Sequence, residues 1–389
     1  MTLPLNPALM FFWVSLGVVA YVYLGYPFLL ALGAFGKPLP VNKAPIHPLI
    51  SIIIPARNEE LVIEAKLQNL LASEYPRDRL EILIGSDGSS DRTGEIAGRF
   101  AGNGVGVISF PQQVGKSAIQ NGLVPAASGS ILVFTDADCF FSPGTLSSVI
   151  ENFADSRVGL VTARPRYRNE GETDITANEC LYLRYETWIR NQESERGILA
   201  MGSGSLLAMR RSLWQPLHPN LGEDFVLPLA VARAGLREIL ERRAIVTTRL
   251  TQTGPASMLQ LKSRIISKDF PGLLANAGLL NPVKHGRVAL ALWSHKLLRW
   301  FVPIFLIALF SSNLRLLGRP FFEIAFLLQA SFYALALAGC LLRERSPRLV
   351  SIPFSFCLVN LAALNGMFKC LSRKPSGQWD PLRARHPAA

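Results

Sequence analysis

Four short apolar stretches, LISIIIP (49–55), LEILIGSD (80–87), GVGVISF (104–110) and ILVFTDAD (131–138), alternate with segments of helical pattern. The first reads as a strand buried on both faces, apolar at successive positions and ended by Pro55. Between the strands, NEELVIEAKLQNLLAS (58–73), DRTGEIAGRFA (91–101) and KSAIQNGLVPAA (116–127) read as helices. Asn58 is the expected N-cap of the first, with Glu59 and Glu60 in the turn where the helix dipole favours them. A β-α-β-α-β-α-β order implies an α/β fold with a mostly parallel sheet covered by helices. In such open sheets, ligands bind beyond the carboxyl ends of the strands.

Each strand runs into a polar segment: PARNEE, SDGSSD, PQQVGKS and DAD in turn. The connectivity gathers all four at one edge of the sheet. At the end of a buried strand Asp136 and Asp138 would repel each other. On a ligand-binding rim, a divalent cation between them and a phosphate gives their shared charge a purpose. Each signal alone is weak. DAD could be a turn with an Asp N-cap, and SDGSSD an ordinary Asx-rich turn. VGKS resembles the end of a Walker A loop, but that motif needs glycine where Phe110 stands, so a P-loop is excluded.

Charged residues make up only 17% of the chain, against about a quarter in ordinary soluble domains. The deficit sits at the two ends. Residues 7–35 carry no charge, and about 20 apolar residues suffice to span a bilayer core. The block is too long for a signal-peptide core, lacks a basic segment before it and shows no small-x-small cleavage site, so an uncleaved anchor is expected. Further candidate spans are 297–317, 321–342 and 349–371; Pro303 interrupts the first of these, the weakest of the three. The expected division is an anchor over 1–36, a cytoplasmic α/β domain over 37–296, membrane helices over 297–371 and a basic tail over 372–389. The positive-inside rule puts the basic 37–296 region and the RERSPR loop (343–348) on the cytoplasmic side. Four spans would put the tail, with Arg373, Lys374, Arg383 and Arg385, on the opposite side, so the span count stays open.

The net charge of +12 suits anionic headgroups or a phosphate-bearing substrate. No helix-turn-helix, zinc or RNA-binding pattern points to nucleic acid. Cys139, Cys180, Cys340, Cys357 and Cys370 lack CxxC spacing and read as reduced thiols. His218, His285 and His295 show no metal-ligand spacing.

The pieces SIIIPARNEE, SDGSSD, VGKSAIQNG, FTDAD, GSGSLLAMRR (202–211) and LGEDFVLPL (221–229) together resemble the family 2 glycosyltransferases. This inverting GT-A group includes membrane-bound bacterial polysaccharide synthases. SHKLLRW (294–300) and Trp379 also look like its membrane-bound members. The resemblance, over roughly 48–272, implies that Pro55, Arg57, Glu59, Asp87, Lys116 and Asp136 bind a nucleotide sugar, with Asp87 on a uracil ring. It implies that Asp136 and Asp138 hold Mg²⁺ or Mn²⁺ and that Asp224 is the catalytic base. Gly202, Ser203, Gly204, Glu223 and Arg264 would border the acceptor. In the processive synthases a QxxRW motif comes after the base. Here LKSRI (261–265) keeps only Arg264, with Leu261 and Ile265 in place of Gln and Trp.

The chemistry is coherent by itself. A nucleoside diphosphate leaves readily once its developing charge is neutralised, which a metal does without a proton. One metal site and one base then suffice, and direct attack inverts the anomeric centre. Expected partners are a nucleotide sugar (a UDP-sugar), a saccharide or lipid-linked acceptor and membrane lipids. Three readings are open: addition to a growing polysaccharide or lipid-linked chain in envelope synthesis, single-sugar transfer to a lipid carrier or glycerolipid, and a non-catalytic membrane scaffold. Intact DAD and GED argue against the scaffold, and a transporter leaves the strand-end acids unexplained.

Overall fold

The computed structural model describes residues 6–342 and 346–372. The tail cations, Trp379 and most of the RERSPR arginines therefore lie outside the described residues. In chain order the principal elements begin with α1 (Pro7–Ala31), β1 (Ile50–Ala56), α2 (Ile63–Leu71) and β2 (Leu80–Asp87). Next come α3 (Thr93–Gly98), β3 (Val105–Phe110), α4 (Lys116–Leu123), β4 (Ile131–Phe134) and β5 (Phe140–Phe141). They continue with α5 (Thr145–Ile150), β6 (Val158–Tyr167), α6 (Asp174–Glu195), β7 (Leu207–Arg210), α7 (Glu223–Arg233) and β8 (Arg237–Thr248). The chain closes with α8 (Pro255–Ala275), α9 (Pro282–Leu314), α10 (Pro320–Leu342) and α11 (Arg348–Leu371).

Among the described residues these strands form one sheet in the order β3-β2-β1-β4-β7-β6-β8-β5. β1 pairs in parallel with β2 and β4, β2 with β3, and β6 with β8. Only β7 and the short β5 introduce antiparallel pairs. Successive strand residues face opposite sides, and both sides are dry. Ile52, Ile54, Ile82 and Val133 meet α2 through Ile63, Leu67 and Leu70. Ile53, Leu83, Leu132 and Phe134 meet Ile119 and Leu123 of α4 and Leu227 and Val231 of α7. A third cluster joins Phe225 and Leu229 of α7, Phe270 and Leu273 of α8, Trp300 of α9 and Met367 of α11. The helix bearing the expected base is thus seated on the apolar helices.

The sequence reading needs several local corrections. Asn58 does not cap a helix. It sits at φ 51 and its side chain accepts from the Ser90 N–H at 2.9 Å, so α2 begins only at Ile63. β4 stops at Phe134, which leaves Asp136 and Asp138 in a turn beyond the strand. That turn is marked by the Cys139 N–H donating to the Asp136 carbonyl at 3.2 Å. The apolar stretch from 297 lies within a longer helical segment that reaches back to Pro282 with a break at Gly286 (φ 50, ψ −121); Lys284, His285 and Arg287 make that beginning too polar to read as part of a span.

Four helices, α1, α9, α10 and α11, are long and apolar enough to cross a membrane by length and composition. α9 widens to a π-helical stretch over Leu292–Leu297, a local irregularity frequent at functional sites. This stretch presents His295 to α6: its Nδ1 lies 2.8 Å from Glu193 and its Nε2 lies 3.0 Å from Glu186. Arg299 meets Glu186 at 2.7 Å, and the Tyr26 hydroxyl of α1 donates to Glu193 at 2.6 Å. Charges on apolar helices are costly unless paired, and here they are paired with the α/β domain.

Candidate active site

A cavity of about 700 Å³ opens at the carboxyl ends of β1 and β4. Its lining brings together Pro55, Glu59, Lys116, Asp136 and Asp138 on one side and Gly202, Ser203, Gly204, Glu223, Asp224 and Arg264 on the other. Arg57 and Asp87 are not on its lining. Asp87 is fully buried and accepts from the backbone N–H groups of Val114 (2.6 Å) and Gly115 (3.0 Å). Its carboxylate thereby fixes the PQQVGKS loop and the start of α4.

The DAD turn is held from two sides. Thr248 Oγ1 of β8 donates to Asp138 Oδ2 at 2.7 Å. From below, Lys66 of α2, fully buried, donates to the Cys139 carbonyl and to Thr135 Oγ1 (3.3 Å), and lies 4.1 Å from the Phe141 ring centroid. Burial pulls its ammonium down to about 8, against the pull of Cys139, Asp138 and Asp136. One turn on, Asn69 clamps both backbone groups of Phe141 at 2.9 and 2.8 Å.

Donor atoms of Asp136, Asp138 and Cys139 all lie within 4.8 Å of one another. Burial first, then the two aspartates, push the Cys139 thiol well above its ordinary range, and its Sγ–H donates to Asp138 Oδ1 at 3.7 Å; a hard cation prefers oxygen to such a thiol. Two carboxylates remain, with water and phosphate oxygens able to complete the shell. That oxygen set fits Mg²⁺ or Mn²⁺, the hard cations.

Lys116 bridges the two sides, 2.6 Å from Asp136 Oδ1 and also paired with Glu223. Burial would lower its pKa; Asp136 and Glu223 outweigh that and raise it, so it is a permanent cation. Burial raises Asp136, and Lys116 only partly offsets this.

Adjacent residues Glu223 and Asp224 are driven in opposite directions. Burial would raise Glu223, but Lys116 pulls it below its ordinary value. Asp224 is raised by burial and by the charge of Glu223. Neighbouring carboxyls with separated titrations mark distinct acid–base roles. Asp224 is not the N-cap of its helix, the bland alternative for it; Gly222 takes that position, leaving Asp224 in the first turn. The Gly202 N–H donates to the Asp224 carbonyl at 2.8 Å. A Cβ on Gly202 would stand 2.2 Å from Leu207 and 3.0 Å from that carbonyl, so glycine is needed for the close approach. The 202–205 loop thus lies against Asp224.

Leu261, Arg264 and Ile265 all line the cavity, as do Thr248, Lys268 and Asp269, which sequence reasoning missed. For Lys66 a signal existed: a lone lysine on the apolar Ile63–Leu67–Leu70 face of α2. For Asp269 none did, since it reaches the site only through α8 packing.

Residues 51–216 match the family model described as glycosyl transferase family 2. The chain is 29% identical over 249 residues to a probable glycosyltransferase, YdaM, of Bacillus subtilis (strain 168), covering 58% of each chain. It is 30% identical over 168 residues to the beta-monoglucosyldiacylglycerol synthase of Trichormus variabilis, covering 42% of this chain and 36% of that one. It thus spans about a third to somewhat over half the length of these curated relatives. The solved mannosyltransferase PcManGT from Pyrobaculum calidifontis, in complex with GDP-Man and Mn²⁺, superposes with a TM-score of 0.71 at 21% identity. That match covers 94% of this chain and 99% of the other, and it identifies the fold as GT-A.

Proposed function

We propose that this chain, which carries a family 2 glycosyltransferase domain, is a membrane-bound, metal-dependent inverting glycosyltransferase. It would move a sugar from a nucleotide sugar, in our reading a UDP-sugar, to a polysaccharide or lipid-linked acceptor. The observation that carries this reading is the opposed pair in one cavity: a carboxylate metal site at Asp136 and Asp138, and a raised carboxyl at Asp224, with Lys116 between them.

In this reading Asp136 and Asp138 hold Mg²⁺ or Mn²⁺, which supplies charge neutralisation at the departing diphosphate. Lys116 adds a fixed cation on the same side. Pro55, Arg57 and Glu59 belong to the donor side, and Asp87 serves it by fixing the loop before Lys116. Asp224 takes the acceptor hydroxyl proton as that oxygen attacks. Glu223, held ionised by Lys116, keeps the base raised, and Gly202, Ser203, Gly204 and Arg264 shape the acceptor side. The proposed domains are an anchor over 1–36, a cytoplasmic catalytic domain over 37–296 and membrane helices over 297–371. The protein would cross the membrane several times.

Single-sugar transfer to a lipid is the second reading, favoured by Leu261 and Ile265 on the cavity wall where stacking on an acceptor sugar would need an aromatic ring. The glycolipid synthase relative is consistent with it.

The test is nucleotide release by the full chain in lipid nanodiscs, from UDP-glucose, UDP-N-acetylglucosamine and GDP-mannose with native lipid extract. Release that needs Mn²⁺ or Mg²⁺, stops with chelator and is lost in Asp224→Asn supports the enzyme. Binding of nucleotide without release from any donor favours a scaffold. Product size separates single addition from polymer growth.

A further inference from the structure

Asp269 is the cavity acid that the roles above leave unused. It lies on α8, is 5% exposed and lines the cavity with Asp224. Its Oδ1 and the Asp224 Oδ1 flank Gly222, 3.1 and 3.0 Å from where a Cβ on that glycine would stand, which makes the two carboxyls neighbours. A cation faces it from the membrane side. Lys296, in the π-helical stretch of α9, places its Nζ 3.8 Å from Asp269 Oδ2. The line Asp224–Asp269–Lys296 therefore joins the expected base to a helix long and apolar enough to cross a membrane.

We propose that Asp269 is a positioning residue: it forms one coupled acid pair with Asp224, poised by Lys296, and keeps Asp224 basic enough to accept the acceptor proton. This rests on Asp224 being the base, as proposed above. In the step itself the acceptor O–H bond breaks and its proton goes to an Asp224 oxygen. The freed oxygen lone pair forms the new bond to the anomeric carbon, and the old carbon–oxygen bond leaves with its electrons on the diphosphate. A second negative charge beside Asp224 strengthens it as a proton acceptor. A second carboxylate left without a cation would take up the proton itself.

Burial lifts Asp269 to about 7; Lys296 and Lys268 oppose the rise, while Asp224 and Glu223 add to it. Asp224 in turn feels Glu223 and Asp136 as raising charges and Lys116 and Lys296 as lowering ones. Groups so close release their protons in steps that belong to the pair rather than to either residue.

The test is infrared pH titration of the carboxylic C=O band of the full chain in nanodiscs, with Asp224→Asn used to identify the Asp224 component. In the wild type a component should persist to near pH 7. In Asp269→Asn that component disappears, and the Asp224 component titrates about one pH unit or more lower. Lys296→Met moves both steps upward, while Lys296→Arg restores them. Asp269→Glu, which keeps the charge, keeps the coupling and serves if the Asn variant does not fold. An Asp224 component that titrates at the same pH with and without the Asp269 charge overturns the proposal. These readouts are independent of turnover. If Asp224→Asn still releases nucleotide at the wild-type rate, the base assignment fails whatever the pair does. If it is silent and the Asp224 titration ignores Asp269, only this inference fails.

Discussion

The two walls of the cavity are built in different ways. The wall proposed for the donor comes from consecutive strand-and-turn units between Ile50 and Cys139, held by side chain-to-backbone clamps: Asp87 on Val114 and Gly115, Asn69 on Phe141. The wall proposed for the acceptor is assembled from segments far apart in sequence: the 202–205 loop, Glu223 and Asp224 on α7, Arg264 and Asp269 on α8, with Lys296 of α9 behind them. Those helices rest on an apolar cluster shared with α9 and α11. The first wall is fixed by hydrogen bonds within the sheet and its edge loops, including one from Thr248 of β8 to Asp138, whereas the second takes its geometry from the apolar helices.

Substitutions can break or sharpen this contrast. The largest effect is expected on the acceptor wall: Asp224→Asn should lower kcat by about 10²–10⁴, the range for a general base, with nucleotide affinity unchanged by calorimetry. On the donor wall Asp138→Asn should instead weaken Mn²⁺ and nucleotide together, roughly 10²-fold, because the metal is worth several kcal/mol. An unchanged Mn²⁺ titration would remove Asp138 from the ligand set. Lys66→Met leaves the Cys139 carbonyl without its donor, and should cost about 1–3 kcal/mol of stability. It should also loosen Mn²⁺ binding before it touches the acceptor. Gly222→Ala brings a methyl within 3.0 and 3.1 Å of the Asp224 and Asp269 oxygens; a displacement of that kind should reduce kcat by about tenfold or more while leaving donor KM alone.

The smallest effect concerns pH and stability. Glu238 of β8 is 2% exposed, and burial raises it to about 8. Between its ordinary value and about 8 the folded chain binds more protons than the unfolded one, so stability falls as pH rises through that window. Glu238→Gln should flatten the decline in Tm from pH 6 to 9. An identical slope in both proteins would mean that Glu238 is already ionised at pH 6.

The same contrast explains what the sequence reveals. Strand ends, the DAD turn and the GED helix start are local patterns, and each lies where its spacing implies: Asp136, Asp138, Lys116 and Asp224 share one cavity. Asp87 shows the limit of this. Its position at the end of β2 is legible, but its hydrogen bonds to the loop after β3 are a matter of sheet closure. The antiparallel β7 is equally hidden, since pairing direction depends on where α6 returns the chain. Asp269 and Lys296 are 27 residues apart and meet only because α8 and α9 fold against each other, which no periodicity records. Asn58 misleads for a local reason: its side chain finds the Ser90 N–H before any helix begins.

The contacts of His295 and Arg299 with Glu186 and Glu193 bear on how such an enzyme can be re-engineered. A fragment cut before Pro282 would keep both carboxylates of α6 and lose the His295 and Arg299 side chains that meet them, along with the Trp300 side of the apolar cluster. The α/β domain is therefore not a portable cassette. A chimera that exchanges its apolar helices for those of a relative has to inherit the matching face of α6 as one unit, with Tyr26 of α1 included.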